Sequence, residues 1–220
     1  MEFKLFSKLA SLEGTELLLL ILFSLLFFAL LAAVIRYRKK TKNPAAAPAV
    51  KNRTRTYVYG ALCLSLSFVL SYFKLFSLLF GGSVTLCSML PLMLYAHCFG
   101  PKYGFGAAFA YALLQIVQGA YIVHPVQFIL DYFVAFVCLG IPALFPENLA
   151  VGCAAGGFSR MLVSTVSGAV FFASAGLDYG YANPWTYSFL YNLITIGVDT
   201  VLVLLAVALL PIRRFKAIMK

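Results

Sequence analysis

Seven apolar runs are spaced along the chain, each near the roughly 20 residues that a helix needs to cross a bilayer. They cover about 17–35, 57–76, 84–99, 103–119, 125–145, 149–175 and 185–210. The runs are continuous rather than alternating. A membrane β-barrel, built from alternating segments of about ten residues, is therefore excluded, and backbone polar groups must be satisfied inside helices. Turn signals separate the runs: Gly81-Gly82, Gly100-Pro101-Lys102, His124-Pro125, Pro146-Glu147-Asn148 and Asn183-Pro184. The expected fold is an all-α integral membrane protein, six helices preceded by one extra transmembrane helix. The second of the six is short, so it either tilts little or is partly re-entrant.

The first run reads as a retained anchor, because it exceeds a 7–15-residue signal core and a basic stretch follows it. Three parts are expected: an anchor helix over 1–36, a basic cytoplasmic linker over 37–56, and a six-helix membrane domain over 57–220. Prolines in Asn43–Val50 break the helix after the anchor.

Composition agrees with this class. Hydrophobic residues are 63% of the chain and charged residues 11%, against about 25% charged in soluble domains. The net charge of +10 lies mostly beside apolar spans. Arg36, Arg38, Lys39, Lys40, Lys42, Lys51, Arg53 and Arg55 fill the linker, and Arg213, Arg214, Lys216 and Lys220 end the chain. Cytoplasmic loops collect such residues, so the linker and C-terminus are placed inside and the N-terminus outside, with anionic lipid as a further contact. Nothing resembling a nucleic-acid reading module accompanies the charge. The five cysteines lack CxxC spacing and read as inert buried thiols. No metal site and no cofactor are expected.

Ionisable groups inside a membrane are costly and mark function. Asp131 falls roughly 9 Å below the outer start of its helix, Arg160 about 16 Å above the inner end of its own, and Asp199 about 21 Å below the outer end of the last. Arg160 and Asp199 share a level and are expected to form a structural ion pair. Asp131 has no basic residue at its depth, so its carboxyl is either neutral or awaits a cation. His124, Gln127 and Asp131 recur at helical spacing, flanked by Tyr121 and Tyr132. Ser164, Ser167 and Gly168 lie in the outer half of the next helix below Phe171 and Phe172, and Tyr187, Tyr191 and Asn192 begin the last. Together they suit a flat cationic or polar heteroaromatic ligand. Tyr179, Tyr181 and Trp185 could instead form an interfacial aromatic belt, and His124 could simply sit in its loop. Gly152 with Gly156, and Ala61 with Ser65, have the small-residue spacing of helix contacts.

Enzyme readings find little support. Asp131 and Asp199 differ by about 12 Å in depth, too far for an aspartyl dyad, and no GxGD, HExxH, Walker A or serine-elbow pattern occurs. If uptake is driven by ATP, another subunit must hydrolyse it.

Three ordered stretches carry a resemblance: GGSVTLCSMLPLMLYAHCFGPKYG from Gly81, GAYIVHPVQFILDYFVAFVCLGIPALF from Gly119, and SGAVFF followed by NPWTYSFLYN. They resemble the thiamine-specific substrate-binding subunit of energy-coupling-factor (ECF) transporters, in order, over about Tyr57–Leu210. The resemblance implies a six-helix subunit that captures vitamin B1 from outside and joins a transmembrane coupling protein and two cytoplasmic ATPases. It implies binding roles for Tyr121, Asp131, Tyr132, Gly168, Tyr187 and Asn192, a lid loop at Gly81 and Gly82, and docking on the coupling protein through Ala61 and Ser65. Two binding positions depart from the family pattern, Ser164 where it has histidine and Phe172 where tryptophan is frequent, and Ser65 stands where alanine is usual. Ser164 and Phe172 thus join the expected binding set. They leave open a lower affinity or a thiamine relative such as its pyrimidine half. A proton-coupled secondary transporter and a non-transporting scaffold are the rival readings.

Overall fold

The computed structural model describes residues 53–78, 82–173, 180, 183–209, 211 and 215. The expected anchor helix and most of the linker, with Gly81, Tyr179, Tyr181, Arg213 and Arg214, lie outside the described residues. The fold is mostly helical. Helix α1 spans Arg53–Tyr72, and a hairpin of β1 (Lys74–Ser77) and β2 (Ser83–Thr85) follows. Helices α2 (Leu90–Phe99) and α3 (Pro101–Gly119) come next. Then come α4 (Pro125–Leu144), α5 (Leu149–Phe171) and α6 (Pro184–Leu209), the three helices long and apolar enough to cross a membrane.

The hairpin corrects two expected spans. The first helix stops at Tyr72 instead of running to Phe76, and the second starts at Leu90 instead of Val84. Lys74 and the glycine pair interrupt the apolar run. The intervening chain pairs Phe76 with Val84 and Ser77 with Ser83, so its backbone bonds are met across the turn. At its other end α1 includes residues 53–56 of the expected linker.

Local chemistry sets the helix starts. Asn148 Oδ1 accepts from Val151 N at 3.2 Å to cap α5, and Asn183 Oδ1 accepts from Trp185 N at 2.8 Å to cap α6. His124 Nδ1 accepts from Val126 N at 3.1 Å to cap α4, with Pro125 in the first turn. Side-chain caps of this kind contribute about 1 kcal/mol each. Gly100, at φ 85°, makes the corner between α2 and α3, and Pro101 starts the new helix.

Every residue of α2 is buried, so this short helix is the core about which the longer ones pack. Gly152 and Gly156 let α5 approach α4: a Cβ would lie 2.8 Å from Pro142 Cα at the first and 3.1 Å from the Cys138 carbonyl at the second. On the outside, α1 exposes Val58, Leu62, Leu66 and Val69, and α6 exposes Val201, Leu205 and Leu209. Apolar faces this continuous are stable against lipid tails or protein partners, not water. Trp185, a candidate for the interfacial belt, is buried instead at 4% exposure.

Candidate ligand-binding site

A cavity of about 230 Å³ opens between the hairpin and the ends of α1 and α3–α6. Its wall contains Tyr121, Asp131, Tyr132, Ser164, Gly168, Phe172, Tyr187 and Asn192 together, and Gly82 from the hairpin. The eight residues expected to bind the ligand are thus brought to one place.

Asp131 lies in a π-helical segment, Ile129–Val134, inside α4. The wider turn lets the adjacent Asp131 and Tyr132 both reach the cavity wall, and such segments recur at functional sites. Asp131 Oδ2 accepts from Gln127 Nε2 and from Ser167 Oγ, both at 2.9 Å. A carboxylate offers about four acceptor sites, so capacity remains for a ligand donor. Gln127 ties this carboxylate to the loop before α4: Nε2 also donates to the Tyr121 carbonyl and Oε1 accepts from Val123 N, both at 3.2 Å. Tyr132 Oη accepts from Tyr121 N at 2.8 Å. The loop is thereby fixed to the residues that face the cavity.

Helix α6 repeats the device. A second π segment, Leu193–Gly197, follows Asn192 directly. Asn192 Nδ2 donates to the Ser188 carbonyl at 2.9 Å, and Ser188 Oγ donates to the Thr165 carbonyl on α5 at 2.7 Å. A Cβ at Gly168 would collide with Ser188 Oγ, so glycine sets how closely α5 and α6 approach. Aromatic pairs stand around the opening. Tyr121 and Phe172 stack at 6.0 Å between centroids, and Tyr187 tilts against Tyr191 at 6.0 Å. His124 stacks on Phe171 at 4.9 Å. As the α4 cap it takes up the loop-end position and does not line the cavity.

The expected ion pair is corrected. Arg160 and Asp199 line the same cavity, but no direct ion pair joins these two described residues. Arg160 Nη1 donates to Met89 Sδ at 2.9 Å and its guanidinium lies 4.3 Å over the Phe136 ring. Asp199 is occupied by the Thr85 hydroxyl, 3.1 Å from each carboxylate oxygen. The end of β2 fills the place where the pair was expected, and Ser88 Oγ completes the cluster 2.7 Å from Thr85 Oγ1.

The sequence reading placed the wall on α4–α6 and missed the opposite side. Ser71, Tyr111, Gln115 and Gln118 line it from α1 and α3, and Thr85 and Ser88 from the hairpin and the turn after it. Ser71 Oγ donates to Gln118 Oε1 at 3.0 Å and accepts from Gln115 Nε2 at 3.2 Å. Two amides three residues apart in an apolar helix were the available signal. Ala61 and Ser65 are exposed on α1, away from the cavity wall.

Comparison with known proteins decides the family. The family model described as thiamine transporter protein (Thia_YuaJ) matches residues 57–219. The chain belongs to this family of thiamine transporters. A curated relative, the thiamine transporter ThiT of Bacillus subtilis (strain 168), is 33% identical over 130 residues, 51% of this chain and 66% of that protein. The match therefore spans just under two thirds of the relative's length. A solved structure of ThiT from Listeria monocytogenes superposes with a TM-score of 0.61 at 21% identity, over 72% of this chain and 96% of that one. That likeness shows a shared fold. Family and apolar helices together make this a multi-pass membrane protein of the thiamine transporter family.

Proposed function

We propose that this protein captures thiamine outside the cell as the substrate-binding subunit of an ECF-type importer. The observation that carries the reading is convergence. Eight residues nominated as binding residues line one cavity, in a chain of the thiamine transporter family. Asp131 pairs with the cationic ligand, Tyr121, Tyr132, Phe172 and Tyr187 enclose its rings, and Asn192 and Ser164 supply hydrogen bonds. The hairpin carrying Gly82 acts as the lid. Six helices form the membrane domain after an N-terminal anchor, with the N-terminus outside and the C-terminus inside. Ala61 and Ser65, exposed on α1, dock on the coupling protein, and two ATPase subunits supply the energy.

Titration of the purified protein tests this, with thiamine, its pyrimidine precursor and riboflavin as ligands and heat or Trp185 fluorescence as the signal. The chain has one tryptophan, which begins α6 two residues before Tyr187, so the signal has one source. Saturable binding of thiamine is expected. If neither thiamine nor its pyrimidine half binds, the ligand assignment is wrong. Uptake in cells that persists without any ATPase partner would identify a secondary transporter instead.

A further inference from the structure

Among the described residues, Lys74, Asp131, Arg160 and Asp199 bring formal charge to the cavity wall, two of each sign. Arg160 and Asp199 share a deep level, whereas Asp131 is roughly 9 Å from the outer start of α4. The deep two are opposite in sign and close enough for each to feel the other. Asp131 and Lys74 remain, one acid and one base. No ion pair joins them, and none ties Lys74 to another described carboxylate. The proposed contacts of a cationic ligand use Asp131 and give Lys74 nothing to do.

The hairpin aims Lys74 at the cavity. Residues directly opposed across an antiparallel pair stand on one face. Lys74 is opposed to Thr85, whose hydroxyl reaches Asp199 in the wall, and both line the cavity. The neighbouring Phe73 and Leu75 are exposed and take no part in the wall. Donors gather on the same side. Ser71, three residues earlier at the end of α1, donates to Gln118 Oε1 at 3.0 Å. The Nε2 donors of Gln118 meet no acceptor among the described residues. Gln118 is three residues before Tyr121, which stands at the opening.

The cavity thus has a pole for a cation at Asp131 and a pole for an anion at Lys74, and the two do not neutralise each other. A ligand with positive charge alone satisfies the first and faces a like charge at the second. A ligand with both signs, held apart, satisfies both. Lysine binds phosphate as a point charge. We infer that Lys74 binds a phosphate monoester on the tail of the cationic ligand and so raises the preference for the ester over the free alcohol. The inference rests on the thiamine reading and sharpens it. The cationic ring of thiamine carries a hydroxyethyl tail, and a phosphate monoester there bears a charge of about −1.5 to −2 near pH 7.

The test is calorimetric titration of wild type, Lys74→Met and Lys74→Arg with thiamine and thiamine monophosphate, in detergent without added phospholipid. Lys74 is exposed at the start of β1, so both substitutions spare the core. In Lys74→Met the monophosphate should bind roughly 5- to 30-fold more weakly, between the worth of an exposed ion pair and that of a charge-assisted bond. Thiamine should bind that variant as well as wild type, or up to about 5-fold more tightly, since a like charge is removed. Arginine keeps the charge and the donors, so Lys74→Arg should retain most of the ester's affinity. Equal losses for thiamine and its ester in Lys74→Met would overturn the inference. So would an ester affinity that Lys74→Met leaves unchanged, the result for a lysine that only reaches toward lipid headgroups. Wild type that binds thiamine but not the ester would overturn it as well, with the proposed function intact. Wild type that binds neither would overturn the proposed function itself, and this inference with it.

Discussion

Replacing Asp131 by asparagine separates the charge of the site from its architecture. Oδ2 of Asp131 accepts two hydrogen bonds at 2.9 Å, from Gln127 and Ser167. The carbonyl oxygen of asparagine can keep both, so the π segment and the loop tied to it should persist. What disappears is the full charge facing a cation. For unit charges about 4 Å apart at an effective dielectric near 20, the attraction is about 4 kcal/mol. A charge-assisted bond exceeds a neutral one by about 1–2 kcal/mol. Taking about 2–4 kcal/mol as the span, thiamine should bind roughly 30- to 1,000-fold more weakly. Titration of purified Asp131→Asn measures the loss, and the melting temperature of the ligand-free variant checks that the fold survives. Alanine would be a poorer probe, because it strands the donors of Gln127 and Ser167. Wild-type affinity in a folded Asp131→Asn protein would refute the role of the carboxylate as the cation's partner.

Three further substitutions test the packing around the cavity. Gly168→Ala places a methyl group on Ser188 Oγ and should destabilise by about 1–3 kcal/mol, read as a lowered melting temperature that Ser188→Ala partly restores. Gly82→Ala drives a methyl group into the Tyr191 ring while Gly82 N–H donates to Tyr191 Oη at 2.8 Å. It should weaken ligand binding more than Tyr191→Phe, which removes only the hydroxyl and about 1 kcal/mol; titration of both variants gives the order. Thr85→Val keeps the shape but strips Asp199 of its hydroxyl donor, and should lower thermal stability by about 1–3 kcal/mol.

The legible parts of this molecule were those with local signals. Helix starts were readable because asparagine and proline stand at them: Asn148 and Asn183 do cap α5 and α6. The Asp131 side of the cavity was readable because a carboxylate, an amide and serines are rare in apolar helices and align at helical spacing. The hairpin was not, because Leu75, Phe76 and Val84 continue the apolar run on either side of the turn and suit a helix or a strand equally. Missing the hairpin also produced the misplaced ion pair. Depth along two straight helices puts Arg160 and Asp199 level, but depth says nothing of what the segment between α1 and α2 inserts there, and Thr85 takes the carboxylate. The π segments were equally hidden, since an i→i+5 turn leaves no mark in hydropathy.

The same hairpin links the cavity's two levels. Gly82 is bonded to Tyr191, and Thr85 to Asp199 eight residues further along α6. The second π segment, Leu193–Gly197, lies between these two attachments. The hairpin is thus fastened above and below the least regular turns of α6, beside Asn192 and Thr195 at the wall. A π segment has poorer hydrogen-bond geometry than the α-helix around it and is where a helix bends at least cost. Any bend of α6 there moves the two attachments relative to each other. The hairpin must then follow or give up one bond, Gly82 to Tyr191 at the opening or Thr85 to Asp199 in the depth. The first is a single neutral bond, the second a buried carboxylate's donor, and charged partners hold about twice as strongly. If the hairpin opens as the proposed lid, the Gly82–Tyr191 bond is the first to break, while the deep attachment beside Arg160 holds.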